Sequence, residues 1–175
     1  MEILLEILRT VLPSLMMFGA VYFVSGKWFE ERYRLKLFRY QQKKKNITIP
    51  LRLQAYERLS LLCERISIPA MIFRAMRPGM RADELRLALL LTIQQEFDHN
   101  LTQQIYVSDQ LWKIVQVARD ETVRLVDFVS ERTEPHAGAE VMSEQLMTYA
   151  MAQPVRPLEK ALEAIRMETR LLLQA

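Results

Sequence analysis

The chain has 175 residues, of which 50% are hydrophobic and only four are glycine, with 24 Lys+Arg against 21 Asp+Glu. That length admits one globular domain plus an anchor rather than two domains. Four unclustered glycines exclude the usual Gly-rich nucleotide loops, and a lone cysteine, Cys63, excludes internal disulfides and fits a reducing compartment.

The small net charge hides an asymmetry. Residues 1–46 carry 9 basic and 4 acidic side chains, a balance of +5, whereas residues 47–175 carry 15 and 17, a balance of −2. A nucleic-acid-binding domain carries its positive charge on the folded part, so no nucleic acid is expected as a partner. Basic residues beside a membrane are instead worth about 1 kcal/mol each against anionic lipid.

Residues 2–12 alternate apolar and charged positions at helical spacing. Pro13 follows, inside an uncharged run from Thr10 to Gly26 that is 17 residues long. A bilayer core about 30 Å thick takes ~20 apolar residues in a helix, with ~17 as the short limit. Ile7 and Leu8 at one end, and Trp28 and Phe29 at the other, extend the run to full length. Arg9 and Lys27 can direct their charges out to the headgroups, with Trp28 and Phe29 at the interface. Residues 1–29 are therefore expected to be a transmembrane segment. A cleaved signal peptide needs a basic start and a small-residue cleavage site, and Met1-Glu2 followed by Val24-Ser25-Gly26 supplies them poorly.

The next stretch, 30–46, is expected to be a basic juxtamembrane helix. Lys27, Arg32, Arg34, Lys36, Arg39, Lys43, Lys44 and Lys45 face only Glu30 and Glu31 between Lys27 and Lys45. Cytoplasmic flanks hold the excess Lys and Arg. This places the N-terminus outside, with a single span and residues 47–175 in the cytoplasm.

Residues 47–175 read as a helical domain. Thr48 and Pro50 suit a helix start. Leu51–Ser67 repeats its apolar positions every three or four residues. Pro69 and Pro78-Gly79 bracket Ala70–Arg77, read as a connector with at most one helical turn, whose Met71, Ile72, Phe73 and Met76 are apolar for a loop; these four are candidates for plugging the bundle or docking a partner. A helix capped near Asp83 and running to about Ile105 is apolar nearly all round from Leu85 to Ile93, which predicts the central helix. Ser108 caps a fourth helix to about Arg132. A helix over 139–153 follows, and Pro157 opens the last, 158–173. The fold class is all-α: a membrane helix running into a basic helix, then a bundle of about five.

Two stretches resemble a known family: Ile49-Pro-Leu-Arg-Leu-Gln-Ala-Tyr-Glu-Arg-Leu59, and Glu96-Phe-Asp-His-Asn-Leu-Thr-Gln-Gln-Ile-Tyr-Val-Ser108 with Trp112 after it. Both are similar to uncharacterised bacterial proteins with one N-terminal membrane segment, a basic stretch and a helical domain. The likeness covers most of residues 10–130. It implies a bacterial inner-membrane anchor and a cytoplasmic domain, and brings no activity with it.

The sharpest chemical candidate is Glu96-Phe-Asp-His99. Glu-x-x-His puts carboxylate and imidazole on one helix face, as in ferritin-like di-metal sites. Those sites need a second copy of the motif, and the only other histidine, His136, has Thr133 three residues before it. A polar network of Glu96, His99, Asn100, Gln103 and Gln104 closing the helix against its neighbours is the preferred reading. No cofactor is expected. The function these features favour is non-enzymatic: an anchored scaffold or accessory subunit whose partners are anionic lipid and other membrane proteins, or a second copy. The alternatives are a metal- or ligand-binding enzyme or sensor at Glu96/His99, and a lipid-surface protein.

Overall fold

The computed structural model describes Met1, Met16, Met17, Tyr22 and residues 48–174 apart from Val155. The chain divides into two units, Met1–Thr48 and Ile49–Ala175. Met16, Met17 and Tyr22 are helical; apart from these and Met1, the span expected over 1–29 and the basic helix expected over 30–46 lie outside the described residues. Among the described residues, no helix is long and apolar enough to cross a membrane.

The second unit is all-helical. Residues 48–65 form α1, Ile68–Ala75 α2, Ala82–Asn100 α3, Asp109–Ser130 α4, Ala139–Ala152 α5 and Pro157–Gln174 α6, with a 3-10 turn over Leu101–Ile105. Thr48, Ile49 and Pro50 are already helical.

Periodicity explains which face each helix buries. On α1, Ala55, Tyr56, Leu59, Leu62 and Cys63 are buried, and Ile66 just past the helix joins them. On α4, Leu111, Trp112, Val115, Ala118, Thr122, Val126 and Val129 form one stripe at three- and four-residue intervals. This helix packs against α3, α5 and α6. Ser108 caps it as expected: its Oγ accepts from the Leu111 N–H at 3.1 Å. Pro157 occupies the first position of α6, where its missing N–H costs nothing.

Two expectations are corrected. The connector between the prolines is an eight-residue helix, α2, with Pro69 in its first turn. It ends where Met76 turns extended, ahead of Pro78-Gly79. Gly79 has φ +77°, a conformation open to glycine and strained for other residues. The second correction concerns α3. Its buried stripe is Leu85, Leu89, Ile93, Phe97 and Asn100, but Leu87 and Leu91 are 56% and 59% exposed. The helix is apolar on both faces, yet the bundle covers only one. The helix also stops at Asn100, whose side chain donates to the Glu96 carbonyl at 2.8 Å as the 3-10 turn begins.

A backbone clasp aligns α3 with α5. Ala82 N donates to Ala137 O at 2.9 Å, and Ala139 N to Met80 O at 2.8 Å. N-terminal to α3, Arg81 N donates to Glu84 Oε2 at 3.0 Å, so Glu84 rather than Asp83 reaches back over the helix start.

Candidate functional site

The Glu-x-x-His pair sits on the outer part of α3, at a groove of about 420 Å³ lined by Arg65, Arg74, Thr92, Gln95, Glu96 and His99. Helical spacing does bring Glu96 and His99 to one place. What surrounds them decides the chemistry. Arg65 Nη1 donates to both carboxylate oxygens of Glu96, at 3.2 and 3.3 Å, and Arg74 Nη1 approaches at 3.5 Å. Arg74 also donates to the Arg65 carbonyl, which ties α2 to the end of α1. Two guanidiniums around one carboxylate leave the groove positive and occupy the oxygens a cation would need. His99 is exposed. Among the described residues, no group of three or more His, Cys, Asp and Glu could hold a metal. The polar network expected around Glu96 does not form: Asn100 bonds its own helix, and Gln103 meets Thr102 at 3.3 Å.

A second polar cluster is better built. Glu168 on α6 accepts from Ser108 N at 3.0 Å and from Ser108 Oγ at 2.5 Å. It accepts from Tyr56 Oη at 3.0 Å and Arg52 Nη2 at 3.2 Å. Arg52 also donates to Tyr56 Oη at 2.7 Å and, through Nε, to Tyr106 O at 3.0 Å. One carboxylate thus joins α1, the N-terminus of α4 and α6. Burial alone would raise its pKa, but the Ser108 hydroxyl and N–H, Tyr56 and Arg52 outweigh burial and hold it below the ordinary range. Burial, then the Glu168 contact, pushes the Tyr56 phenol up. Every donor here is engaged in holding helices together. The carboxylate that the fold brings to Arg52 is Glu168. The only local signals for this cluster are the Arg52/Tyr56 spacing on α1 and the Ser108 cap.

The four docking candidates separate. Met71 and Ile72 belong to the core. Phe73 points outward at 90% exposure, and Met76 is exposed beside it. A concave apolar surface lies elsewhere, a pocket of about 420 Å³ between α2, α4, α5 and α6, floored by Ile68, Leu125, Met147, Ala150 and Leu158. Phe128 and Tyr149 cross edge-to-face at 5.3 Å between α4 and α5. Cys63 is buried, and burial pushes its thiol up to about 12, so it stays protonated and unreactive. The interface and topology residues Lys27, Trp28, Phe29, Arg32, Arg34, Lys36, Arg39 and Lys43–Lys45 lie outside the described residues.

No curated protein and no solved structure matches the chain. A family model does, over residues 2–172, which spans the uncharged N-terminal run and all of the bundle but the last two residues of α6. The chain belongs to that family, a family of unknown function (DUF7935).

Proposed function

We propose that the chain is a single-pass, membrane-anchored scaffold or accessory subunit that carries its helical bundle on the cytoplasmic face of a bacterial inner membrane and takes no cofactor. The observation that carries this reading is the uncharged 17-residue run from Thr10 to Gly26, followed by eight Lys and Arg against two Glu up to Lys45. Two of the bundle's carboxylates support it, because Glu96 and Glu168 are both committed to contacts between helices. The arginine pair on Glu96 weighs against the metal-binding alternative.

Two measurements test it. A reporter fused after residue 175 reads the side of the membrane, and activity confined to the non-cytoplasmic side overturns the orientation. Extraction of the full chain from its native membrane in mild detergent reads the assembly. Co-elution with other membrane proteins at fixed ratio is the expected result, and a bare monomer refutes the accessory role.

A further inference from the structure

Charge is segregated between two neighbouring helices. Residues 65–82 hold Arg65, Arg74, Arg77 and Arg81 and no Asp or Glu, whereas residues 133–155 hold Glu134, Glu140 and Glu144 and no Lys or Arg. The first stretch contains α2 and the second α5, while α1, α3, α4 and α6 each carry both signs. α2 and α5 pack together. The chain leaving α2 meets the start of α5 where Ala139 N donates to Met80 O. Pro69, at the start of α2, lines one pocket with Met147 and Met151 from the second half of α5. The two helices therefore lie side by side and antiparallel, a basic strip beside an acidic one. Arg74 is tied down by Arg65 and Glu96. Arg77, Glu140 and Glu144 are exposed, and none of the three forms an ion pair among the described residues.

The same two helices expose apolar side chains between these charges. Phe73 is 90% exposed, Met151 64% and Val141 46%. Met71 and Ile72 already fill the core from α2, so the Phe73 ring is not needed inside. It stands one turn along α2 from Pro69, whose apolar pocket is closed on the α5 side by Met147 and Met151. Two antiparallel strips, one with a projecting ring and a free cation, the other with a pocket rim and free carboxylates, are complementary to a copy of themselves. A two-fold axis along the seam between the helices lays each α2 over the other copy's α5, so that every contact is made twice, as an isologous interface requires.

We propose that the α2/α5 face is the interface of a homodimer. In it Phe73 of each copy seats against Met147 and Met151 of the other, and Arg77 of each copy lies beside Glu140 and Glu144 of the other. Burial of the ring supplies the main attraction. The ion pairs add little affinity at an exposed rim, but they fix the register and disfavour partners of the wrong sign. The inference goes beyond the anchor reading and does not depend on it, because it concerns residues 49–174 alone. It adds the surface through which two copies of the scaffold join.

The test uses the full chain at graded concentrations in a density-matched nonionic detergent, with sedimentation equilibrium as the readout. An interface two short helices wide is at the small end of specific ones, so a dissociation constant in the roughly micromolar range is expected. Arg77→Glu and Glu144→Arg each set like charges against each other at both symmetry-related contacts and weaken the dimer about tenfold. The chain carrying both substitutions regains wild-type affinity to within about threefold. Phe73→Ala also weakens the dimer about tenfold, with an unchanged melting temperature because the ring lies outside the core, so that loss of the dimer is not loss of the fold. A chain that stays monomeric throughout, or a double charge variant no tighter than the single ones, overturns the proposal. A dimer indifferent to all of these substitutions assigns self-association to another surface and overturns it too. Each of those results leaves the anchor reading intact, which the reporter fusion tests separately.

Discussion

Glu168→Ala tests whether one carboxylate organises the bundle. The wild-type side chain accepts from Ser108 N–H, Ser108 Oγ, Tyr56 Oη and Arg52 at 2.5–3.2 Å. A hydrogen bond to a charged group is worth about 1.5–3 kcal/mol, but such contributions are not additive. Water can reach the Ser108 and Arg52 side, where the Glu168 and Arg52 side chains are 18% and 32% exposed. Counting the equivalent of one full bond, plus part of the α4 cap, gives about 2–3 kcal/mol. For a domain of this size that is roughly 10 °C in melting temperature. Urea or thermal unfolding of the detergent-solubilised chain reads it, and a Glu168→Ala/Ser108→Ala double-mutant cycle gives a coupling of about 1 kcal/mol or more. A loss below about 0.5 kcal/mol would refute the reasoning. The pH dependence supplies a sign. The native carboxyl titrates below an ordinary glutamate, about 4.3, so between the two values the unfolded chain binds more protons. The stability difference between wild type and Glu168→Gln is therefore complete above the ordinary value and disappears as pH falls through the native one.

Two further outcomes separate buried from exposed positions on α3. Leu89 is fully buried, so Leu89→Asp places an unpaired charge in the core and abolishes cooperative melting, while Leu87→Asp, on the exposed face, changes stability by less than about 0.5 kcal/mol; equal effects would show that the helix faces are misassigned. Glu96→Ala leaves Arg65 and Arg74 repelling each other across a half-open groove and costs about 1 kcal/mol, less at high salt. His99→Ala is close to neutral because the imidazole is exposed, and a loss above about 1 kcal/mol would show that His99 is engaged in the groove.

The long helices were legible because each satisfies its own local rule. The α1 and α4 stripes, the Ser108 cap and Pro157 at the start of α6 need no information from elsewhere in the chain. The place of α3 in the bundle was not legible. An unbroken apolar run such as Leu85–Leu91 shows that both faces are apolar, but not whether this chain covers both. The bundle covers one and leaves Leu87 and Leu91 in solvent. The eight residues of α2 were too few for periodicity to outweigh the two prolines around them, although Pro69 sits in a first turn where it is tolerated.

The Glu168 cluster failed to show in the sequence for a related reason. Glu168 meets Ser108, Tyr56 and Arg52 across 60, 112 and 116 residues, so no window of sequence contains the cluster. The Glu96/His99 spacing was read correctly as one helix face, and both side chains do reach one groove. The role of that face was set by Arg65 and Arg74, 31 and 22 residues earlier in the chain. A carboxylate's function depends on which charges the fold brings to it. Here Glu96 and Glu168 both receive arginine, which makes them joints between helices. What remains available for recognition is the apolar surface the joints hold in place: Phe73 and Met76, the pocket between α2, α4, α5 and α6, and the outer leucines of α3. Those surfaces, more than any polar site, are where substitutions should change what this protein binds without changing how it folds.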